Sequence, residues 1–259
     1  MMYRTLTASL LTLLVVACGR TDKASQTSGP KEAETAAAPQ GEADSKDTEG
    51  EHHGAHGHGH GHHGGEPIGH RFENAEDWVA VFDDPERASW QKPEHVVSLM
   101  GLHPGHTVAD IGAGTGYFLS YLARAVGPGG KVVGIDIEPD MVRHMRERAE
   151  REGWKHVRAR RGSPNDPGLN PASMDRILIV NTWHHIPDRS AYARKLASAL
   201  RPRGQVFVVD YTLDSPHGPP KDHRLAPERV MEELEAGGFD ARLVEEELPR
   251  QYVVAGAKR

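Results

Sequence analysis

The sequence of 259 residues predicts an α/β fold, a three-layer sandwich around a mostly parallel seven-stranded sheet with an antiparallel C-terminal strand. Three observations predict this fold. Strand-like and helix-like segments alternate from residue 106 to residue 236. A glycine-rich turn joins the first strand to the helix that follows it. The last two strands are separated by too few residues for a crossover helix, so they form a hairpin.

Residues 1–18 have the composition of a targeting segment. Arg4 precedes an apolar run at 6–17, which ends at Cys18, the single cysteine of the chain. The letters VVACG resemble the lipobox of bacterial lipoproteins, in which the cysteine is lipidated. The resemblance implies a lipid-anchored protein of the cell envelope, and Gly19 implies the periplasmic face of the outer membrane. The alternative is a small buried thiol after a chance apolar run, which would leave the protein in the cytoplasm.

Residues 19–68 predict a disordered linker, because the segment from 21 to 65 has no Phe, Trp or Tyr and cannot bury enough surface to offset its ordering entropy. Residues 51–64 read EHHGAHGHGHGHHG. Neutral imidazoles on a flexible tract can bind divalent metal ions weakly, and a solvated linker without metal is an equal alternative. The candidate ligands are His52, His53, His56, His58, His60, His62 and His63. No metal is expected in the folded domain.

One folded domain is expected over residues 69–259. It begins with a helical segment at 69–100, in which apolar residues keep a helical spacing up to Phe82. Residues 83–85 read DDP and break this helix, and Pro93 opens another at a position that favours proline.

The alternating part of the domain contains short apolar segments rich in Val and Ile, separated by amphipathic ones. The predicted strands are 106–111, 131–135, 155–160, 174–180, 205–210, 241–246 and 251–257. The predicted helices between them are 116–126, 138–151, 188–200 and 226–236.

The turn after the first strand carries the strongest functional signal. Gly112, Gly114 and Gly116 follow Asp110 at this turn. Glycines let the backbone approach a ligand closely, and the amides at a helix N-terminus face the bound group. A dinucleotide-binding turn would have its third glycine at the position of Tyr117, so the pattern disfavours a nicotinamide cofactor.

The sequence DIGAGTGYF at 110–118 resembles the first motif of class I S-adenosylmethionine-dependent methyltransferases. VVGIDI at 132–137, DRILIVNTWHHIPD at 175–188 and LRPRG at 200–204 resemble later motifs of that family, in the same order. The resemblance implies S-adenosylmethionine as cofactor and methyl transfer to a small-molecule acceptor. It also implies that the segment at 69–100 forms a lid over the cofactor.

The resemblance implies a set of cofactor-binding residues: Asp110, Gly112, Ala113, Gly114, Gly116, Tyr117, Asp136, Ile137 and Asn181. In this set Asp136 accepts the ribose hydroxyls, by the same logic as in dinucleotide enzymes, and Ile137 packs on adenine. The partner of the adenine amino group stays open among Ser163, Asn165 and Asp166.

Two histidines after the fourth strand are the candidate catalytic residues. His184 and His185 follow the strand at the edge where ligands bind, and His184 is preferred as the base that faces the acceptor. The alternative is that one of them packs under the next helix. His223 and Arg224 are weaker candidates for the acceptor, because their Pro-rich segment could equally be a surface loop.

Several classes are disfavoured. A net charge of −6 argues against nucleic-acid binding, and the fourth strand lacks the Asn/Asp-Pro-Pro-aromatic tetrad of DNA amino-methyltransferases. Arsenite methyltransferases need several thiols, whereas Cys18 is the only one here. A non-catalytic envelope lipoprotein that binds a metal or ligand on a methyltransferase fold is the alternative, because S-adenosylmethionine is made in the cytoplasm. The intact glycines and Asp136 argue against it.

Overall fold

The computed structural model describes residues 74–259, in which seven strands form one sheet in the order β3-β2-β1-β4-β5-β7-β6. The strands are β1 Thr107–Ile111, β2 Lys131–Asp136, β3 Val157–Arg161, β4 Met174–Val180, β5 Leu200–Tyr211, β6 Phe239–Leu243 and β7 Gln251–Lys258. β1 to β5 pair in parallel, and β7 runs antiparallel to both β5 and β6. The predicted fold class is confirmed.

Helices cover both faces of this sheet. They are α1 Ala75–Phe82, α2 Arg87–Gln91, α3 Pro93–Leu99, α4 Leu119–Val126, α5 Pro139–Arg151, α6 Arg189–Ala199 and α7 Pro227–Ala236, with short 3-10 helices at Trp183–His185 and Lys221–His223. Proline opens α3, α5 and α7, because its missing N–H needs no partner in the first turn. Asp188 caps α6 by accepting a hydrogen bond from Ala191 N at 2.9 Å.

The helix after the glycine turn begins later than the sequence predicts. We expected it to start at Gly116, and this start is wrong. Gly112, Gly114 and Gly116 have φ values of 69°, 57° and 84°, which no right-handed helix contains. The chain therefore remains in a turn until Phe118, and α4 begins at Leu119. The three additional turn residues lie where a ligand would approach the backbone.

The core consists of two apolar layers, one on each face of the sheet. Along β4, Leu178 packs with the layer under α3, α4 and α5, whereas Ile177 and Ile179 pack with the layer under α6 and α7. All three side chains are fully buried. Because the strands are covered on both faces, a ligand can reach the parallel strands mainly at their carboxyl ends.

A buried carboxylate fixes the loop after β4 to α7. Glu233 accepts hydrogen bonds from Trp183 Nε1 at 2.9 Å, from Arg189 Nε at 2.8 Å and from Arg229 Nε at 2.9 Å. Three donors offset the cost of burying this charge. They hold Trp183 in the core and thereby position His184, the next residue in the chain.

No helix within residues 74–259 is long and apolar enough to cross a bilayer. The predictions for the segment 1–18, the linker 19–68 with its histidines, and Cys18 concern residues outside the part that the structure describes. The first residues of the lid, up to 73, also lie outside it.

Candidate functional site

The glycine turn is attached to the neighbouring strand by backbone hydrogen bonds. Gly112 N and Ala113 N donate to Ile135 O at 2.8 and 3.0 Å, and Gly114 N donates to Asp136 Oδ2 at 2.9 Å. A Cβ at Gly112 would lie 2.2 Å from the Thr182 side chain, so only glycine fits there. The turn and the end of β2 therefore form one rigid unit.

Two carboxylates flank this turn, Asp110, which is buried, and Asp136, which is partly buried. Burial raises the pKa of Asp110 to about 8, although Arg87 opposes the shift, and the charge of Asp136 adds to it. Burial also raises the pKa of Asp136, although the Glu138 and Gly114 amides oppose this rise. The protein compensates the two negative charges only in part. The site therefore favours a ligand that brings positive charge or hydrogen-bond donors.

The end of β2 presents an apolar side chain beside Asp136. Ile137 is 45% exposed, which is unusual for a large aliphatic residue in this domain, and Arg161 Nε fixes its backbone by donating to Ile137 O at 3.0 Å. An exposed apolar side chain next to a partly buried carboxylate suits a ligand with a flat ring beside a pair of hydroxyls.

The contacts of the loop after β3 do not identify the residue that would bond the adenine amino group. Asp166 accepts from Lys195 Nζ at 2.8 Å and from Gly168 N at 2.7 Å, and the hydrogen bond from Lys195 lowers the pKa of Asp166. Its carboxylate is therefore bonded to α6 and to its own loop. Ser163, Asn165 and Asp166 all stay open as the partner of the adenine amino group.

The described part of the lid lies on the glycine turn. A Cβ at Gly114 would be 3.3 Å from Phe82 Cδ2, so the Phe82 ring covers this glycine. Asp83 accepts from Thr115 Oγ1 at 3.1 Å and from Arg148 Nη1 at 3.0 Å. The end of α1 is thus bonded to both the turn and α5.

Arg87 is a partly buried cation that was not predicted from the sequence. Its guanidinium donates to Phe82 O at 2.6 Å and to Gln91 Oε1 at 3.2 Å, and it lies 4.1 Å from the centroid of the Tyr117 ring. Burial lowers the pKa of Arg87. Within residues 74–259 no carboxylate oxygen lies within 4.0 Å of it. Its neutral partners leave it available to an anionic group of a ligand.

A chain of amides joins the lid to the ends of three strands. Gln91 Nε2 donates to Gln251 Oε1 at 2.5 Å, and Gln251 Nε2 donates to Asn181 Oδ1 at 2.5 Å. Asn181 Nδ2 donates to Tyr211 OH at 3.5 Å, and the Trp90 ring stacks 6.2 Å from the Tyr211 ring. Asn181 is thus engaged with protein groups, and its contact with the cofactor stays a prediction.

His184 pairs with a carboxylate at the end of β5. Its Nδ1 lies 2.9 Å from both oxygens of Asp210, and both side chains are buried. Because a carboxylate only accepts, Nδ1 is the donor, and Nε2 of the neutral ring carries the lone pair. The His185 ring lies 4.2 Å from the His184 ring. Asp210 was not predicted from the sequence, although an acid that ends a strand at this edge was a usable signal.

The weaker acceptor candidates lie in the loop after β5. Arg224 donates to four backbone carbonyls, those of Pro219, Thr212, Leu213 and Ser215. Its guanidinium therefore holds the loop together. His223 is partly exposed, with Nε2 lying 3.8 Å from Asp222 Oδ2. Contact of His223 or Arg224 with an acceptor stays a prediction.

Comparison with known families decides the class of this domain. The family model described as "Methyltransferase domain" matches residues 102–249, more than half of the chain. The chain belongs to this family. Its glycine turn, the two flanking carboxylates and the His184–Asp210 pair all fall within the matched residues.

The methyltransferase resembles both curated relatives and solved structures. It is 35% identical over 137 residues to nocamycin O-methyltransferase of Saccharothrix syringae, covering 52% of this chain and 47% of that one. It is 25% identical over 131 residues to demethylmenaquinone methyltransferase of Bacillus cytotoxicus, covering 51% and 54%. The chain thus spans about half the length of these relatives.

Among solved structures, a SAM-dependent methyltransferase from Aquifex aeolicus matches with a TM-score of 0.67 and 28% identity. The match covers 72% of this chain and 99% of that chain. The predicted enzyme class and S-adenosylmethionine as the family's cofactor are confirmed.

The residues present fit this cofactor, which carries an ammonium, a carboxylate, a sulfonium and a ribose diol. The Asp136 carboxylate has about four acceptor positions, and two backbone amides use only part of them, so it can also accept hydroxyls. Ile137 would contact the adenine. Asp110 and Arg87 would bring one ionisable group of each sign to the amino-acid end.

Replacing Asp136 with Ala should weaken the binding of S-adenosylhomocysteine about a hundredfold, because two charge-assisted hydrogen bonds to the ribose are lost. Isothermal titration calorimetry measures this affinity. Asp140→Ala, which removes a partly exposed carboxylate that pairs with Arg143, is the matched control and should leave the affinity unchanged. Equal affinities for both variants and the unchanged chain would contradict the assignment of Asp136.

The affinity for S-adenosylhomocysteine should rise with pH between about pH 6 and about pH 7.5, by up to about tenfold per unit. In the free protein the pKa of Asp110 is about 8, so its carboxyl is largely protonated in this range. The ligand's ammonium favours the ionised form, and binding therefore releases a proton. Asp110→Asn should remove the slope in the same titrations. A flat profile for the unchanged chain would rule out this role of Asp110.

Proposed function

We propose that this protein transfers a methyl group to a hydroxyl oxygen of a small-molecule acceptor, with His184 as the general base. The observation that carries the proposal is the buried His184–Asp210 pair at the carboxyl ends of β4 and β5. S-adenosylmethionine supplies an electrophilic methyl group on its sulfonium when it is bound.

A hydroxyl acceptor requires a base, because a neutral alcohol or phenol is a weak nucleophile until its proton is removed. Nε2 of His184 can take that proton. Asp210 holds the ring by Nδ1 and stabilises the imidazolium that forms, as the carboxylate does in other His–Asp pairs. β4 lies beside β1 in the sheet, which brings the base to the same edge as the glycine turn.

The lid contributes by enclosing the reaction. Phe82 lies over Gly114, and the Gln91–Gln251–Asn181 hydrogen bonds join α2 to the ends of β4 and β7, so these contacts would help to keep water from the reacting groups. Enclosure by helices suits a small acceptor better than a polymer. Similarity to nocamycin O-methyltransferase supports an oxygen acceptor. The non-catalytic alternative is disfavoured, because an inactive fold has no need of a buried His–Asp pair beside the turn.

His184→Ala should lower the rate of methyl transfer about a thousandfold, and Asp210→Asn about a hundredfold. The assay incubates the protein with methyl-labelled S-adenosylmethionine and a small-molecule extract of the source cells, and counts the labelled product by mass spectrometry. His185→Ala is the neighbouring control and should stay within about threefold of the unchanged enzyme.

Both variants should bind S-adenosylhomocysteine normally, because neither residue is assigned to the cofactor. A His184→Ala enzyme with an unchanged rate would exclude His184 as base. A protein that binds S-adenosylhomocysteine but labels no extract component would contradict the small-molecule acceptor.

We also propose that a lipid on Cys18 holds the enzyme at the cell envelope, facing the periplasm on the outer membrane. Support comes from the sequence, in which the single cysteine directly follows the apolar run at 6–17. Weak divalent-metal binding by the linker histidines is a separate prediction of the sequence.

Cells that express the full chain should incorporate radioactive palmitate into it, and the labelled protein should sediment with membranes. Cys18→Ser should abolish the label, because the acceptor thiol is gone. Ser9→Ala changes the same segment without touching the thiol and should keep the label. An unlabelled, soluble full-length chain would contradict the anchor.

A further inference from the structure

Exposed cations cluster on one edge of the sheet, away from the catalytic pair. β3 is the edge strand, and it packs beside α5. The five cations of this edge are Arg146, Lys155, Arg158, Arg160 and Arg161. The chain as a whole carries a net charge of −6, so the local excess of positive charge runs against its overall balance.

None of these five side chains has a carboxylate oxygen within 4.0 Å among residues 74–259, whereas nearby Arg143 pairs with Asp140. The four arginines donate to backbone carbonyls instead. Arg146 bonds Ala159 O at 3.1 Å, and Arg160 bonds Gly168 O at 2.6 Å. A neutral carbonyl orients a guanidinium but does not cancel its charge, so the edge retains a positive potential.

The same edge contains a groove of about 720 Å³. Its floor is apolar, and it contains the half-buried Trp154 ring and the buried Val157. Arg146, Lys155 and Arg158 line its rim together with a single acid, Glu150. We call these residues, with Arg160 and Arg161, the basic groove. An apolar floor inside a cationic rim is complementary to an amphiphilic anion.

A simpler role explains only part of the cluster. Charged side chains on an edge strand prevent the pairing of that edge with other strands, which accounts for Arg158 and Arg160. It does not account for Arg146, which lies on α5, or for Lys155, which precedes the strand. It also does not explain a groove lined by Trp154 and Val157.

We propose that the basic groove docks onto a membrane surface of anionic phospholipids. The guanidinium and ammonium groups would contact lipid phosphates, and Trp154 would lie at the level of the headgroups, where amphipathic rings are favoured. Anionic membrane surfaces attract each nearby Lys or Arg, and these contributions add along a basic patch. The choice of a membrane as partner rests on the proposed anchor at Cys18, which would keep the domain close to one.

The test uses the full chain with Cys18→Ser, which cannot be lipidated, so its outcome is independent of the palmitate experiment. Flotation measures its partition onto vesicles of equal parts phosphatidylglycerol and phosphatidylethanolamine, and onto vesicles of phosphatidylcholine. We expect at least about tenfold stronger partition onto the anionic vesicles, and loss of this preference when ionic strength rises from about 0.05 to about 0.5 M.

Charge reversal in the groove is the decisive comparison. The triple variant Arg146→Glu, Lys155→Glu, Arg158→Glu should weaken partition onto anionic vesicles about a hundredfold. Arg194→Glu, Arg203→Glu, Arg242→Glu changes the net charge equally at other exposed sites and should weaken it only about threefold. Arg146→Lys, Arg158→Lys keeps the charge and should keep the binding, even if the groove reversal impairs folding. Equal losses for the two triple variants, or no preference for anionic vesicles, would overturn the proposal.

Discussion

The left-handed turn at the end of β1 is the constraint on which the rest of the site depends. Gly112, Gly114 and Gly116 adopt positive φ, and this conformation points the amides of 112 and 113 at Ile135 O and that of 114 at Asp136. The same geometry delays the start of α4 and opens the surface on which the lid rests. A side chain at Gly112 would collide with Thr182 and separate β1 from the loop after β4. The end of β2, the surface under the predicted lid and the loop that carries His184 therefore all depend on this turn.

The charged side chains around this turn differ in whether protein groups compensate their charge. Glu233 is fully compensated by three donors, and it anchors the loop on which His184 lies. Asp110, which is buried, and Arg87, which is partly buried, make no carboxylate–guanidinium contact, and their pKa values shift towards the neutral forms. Compensated charge supports the scaffold, whereas charge that the protein does not compensate suits a zwitterionic ligand. This contrast is the physical reason for predicting a structural role for Glu233 and a ligand-binding role for Asp110 and Arg87.

The sequence predicted the central strands well, because β2 and β4 read as short runs rich in Val, Ile and Leu. Asp110 and Asp136 came from the family resemblance, and His184 and His185 from their position after the fourth strand. The Asp210 partner of His184 was not predicted, because the two lie 26 residues apart and meet only when β4 and β5 pair. Arg87 was missed because its partial burial arises from packing on Tyr117. Arg224 was predicted to contact the acceptor from its position alone, and its hydrogen bonds to the carbonyls of its own loop arise only when that loop folds.

Residues 74–92, the first described part of the predicted lid, contact the glycine turn and the strand ends through side chains. Asp83, Phe82 and Gln91 bond or pack onto the domain, while no strand of the sheet includes residues 74–92. Segments attached in this way open by local unfolding at a free energy well below that of the whole domain. The two helices of this segment can therefore open while the sheet, the glycine turn and the His184–Asp210 pair stay folded. Amide hydrogens of α1 and α2 would then exchange with solvent long before those of β1 or β4.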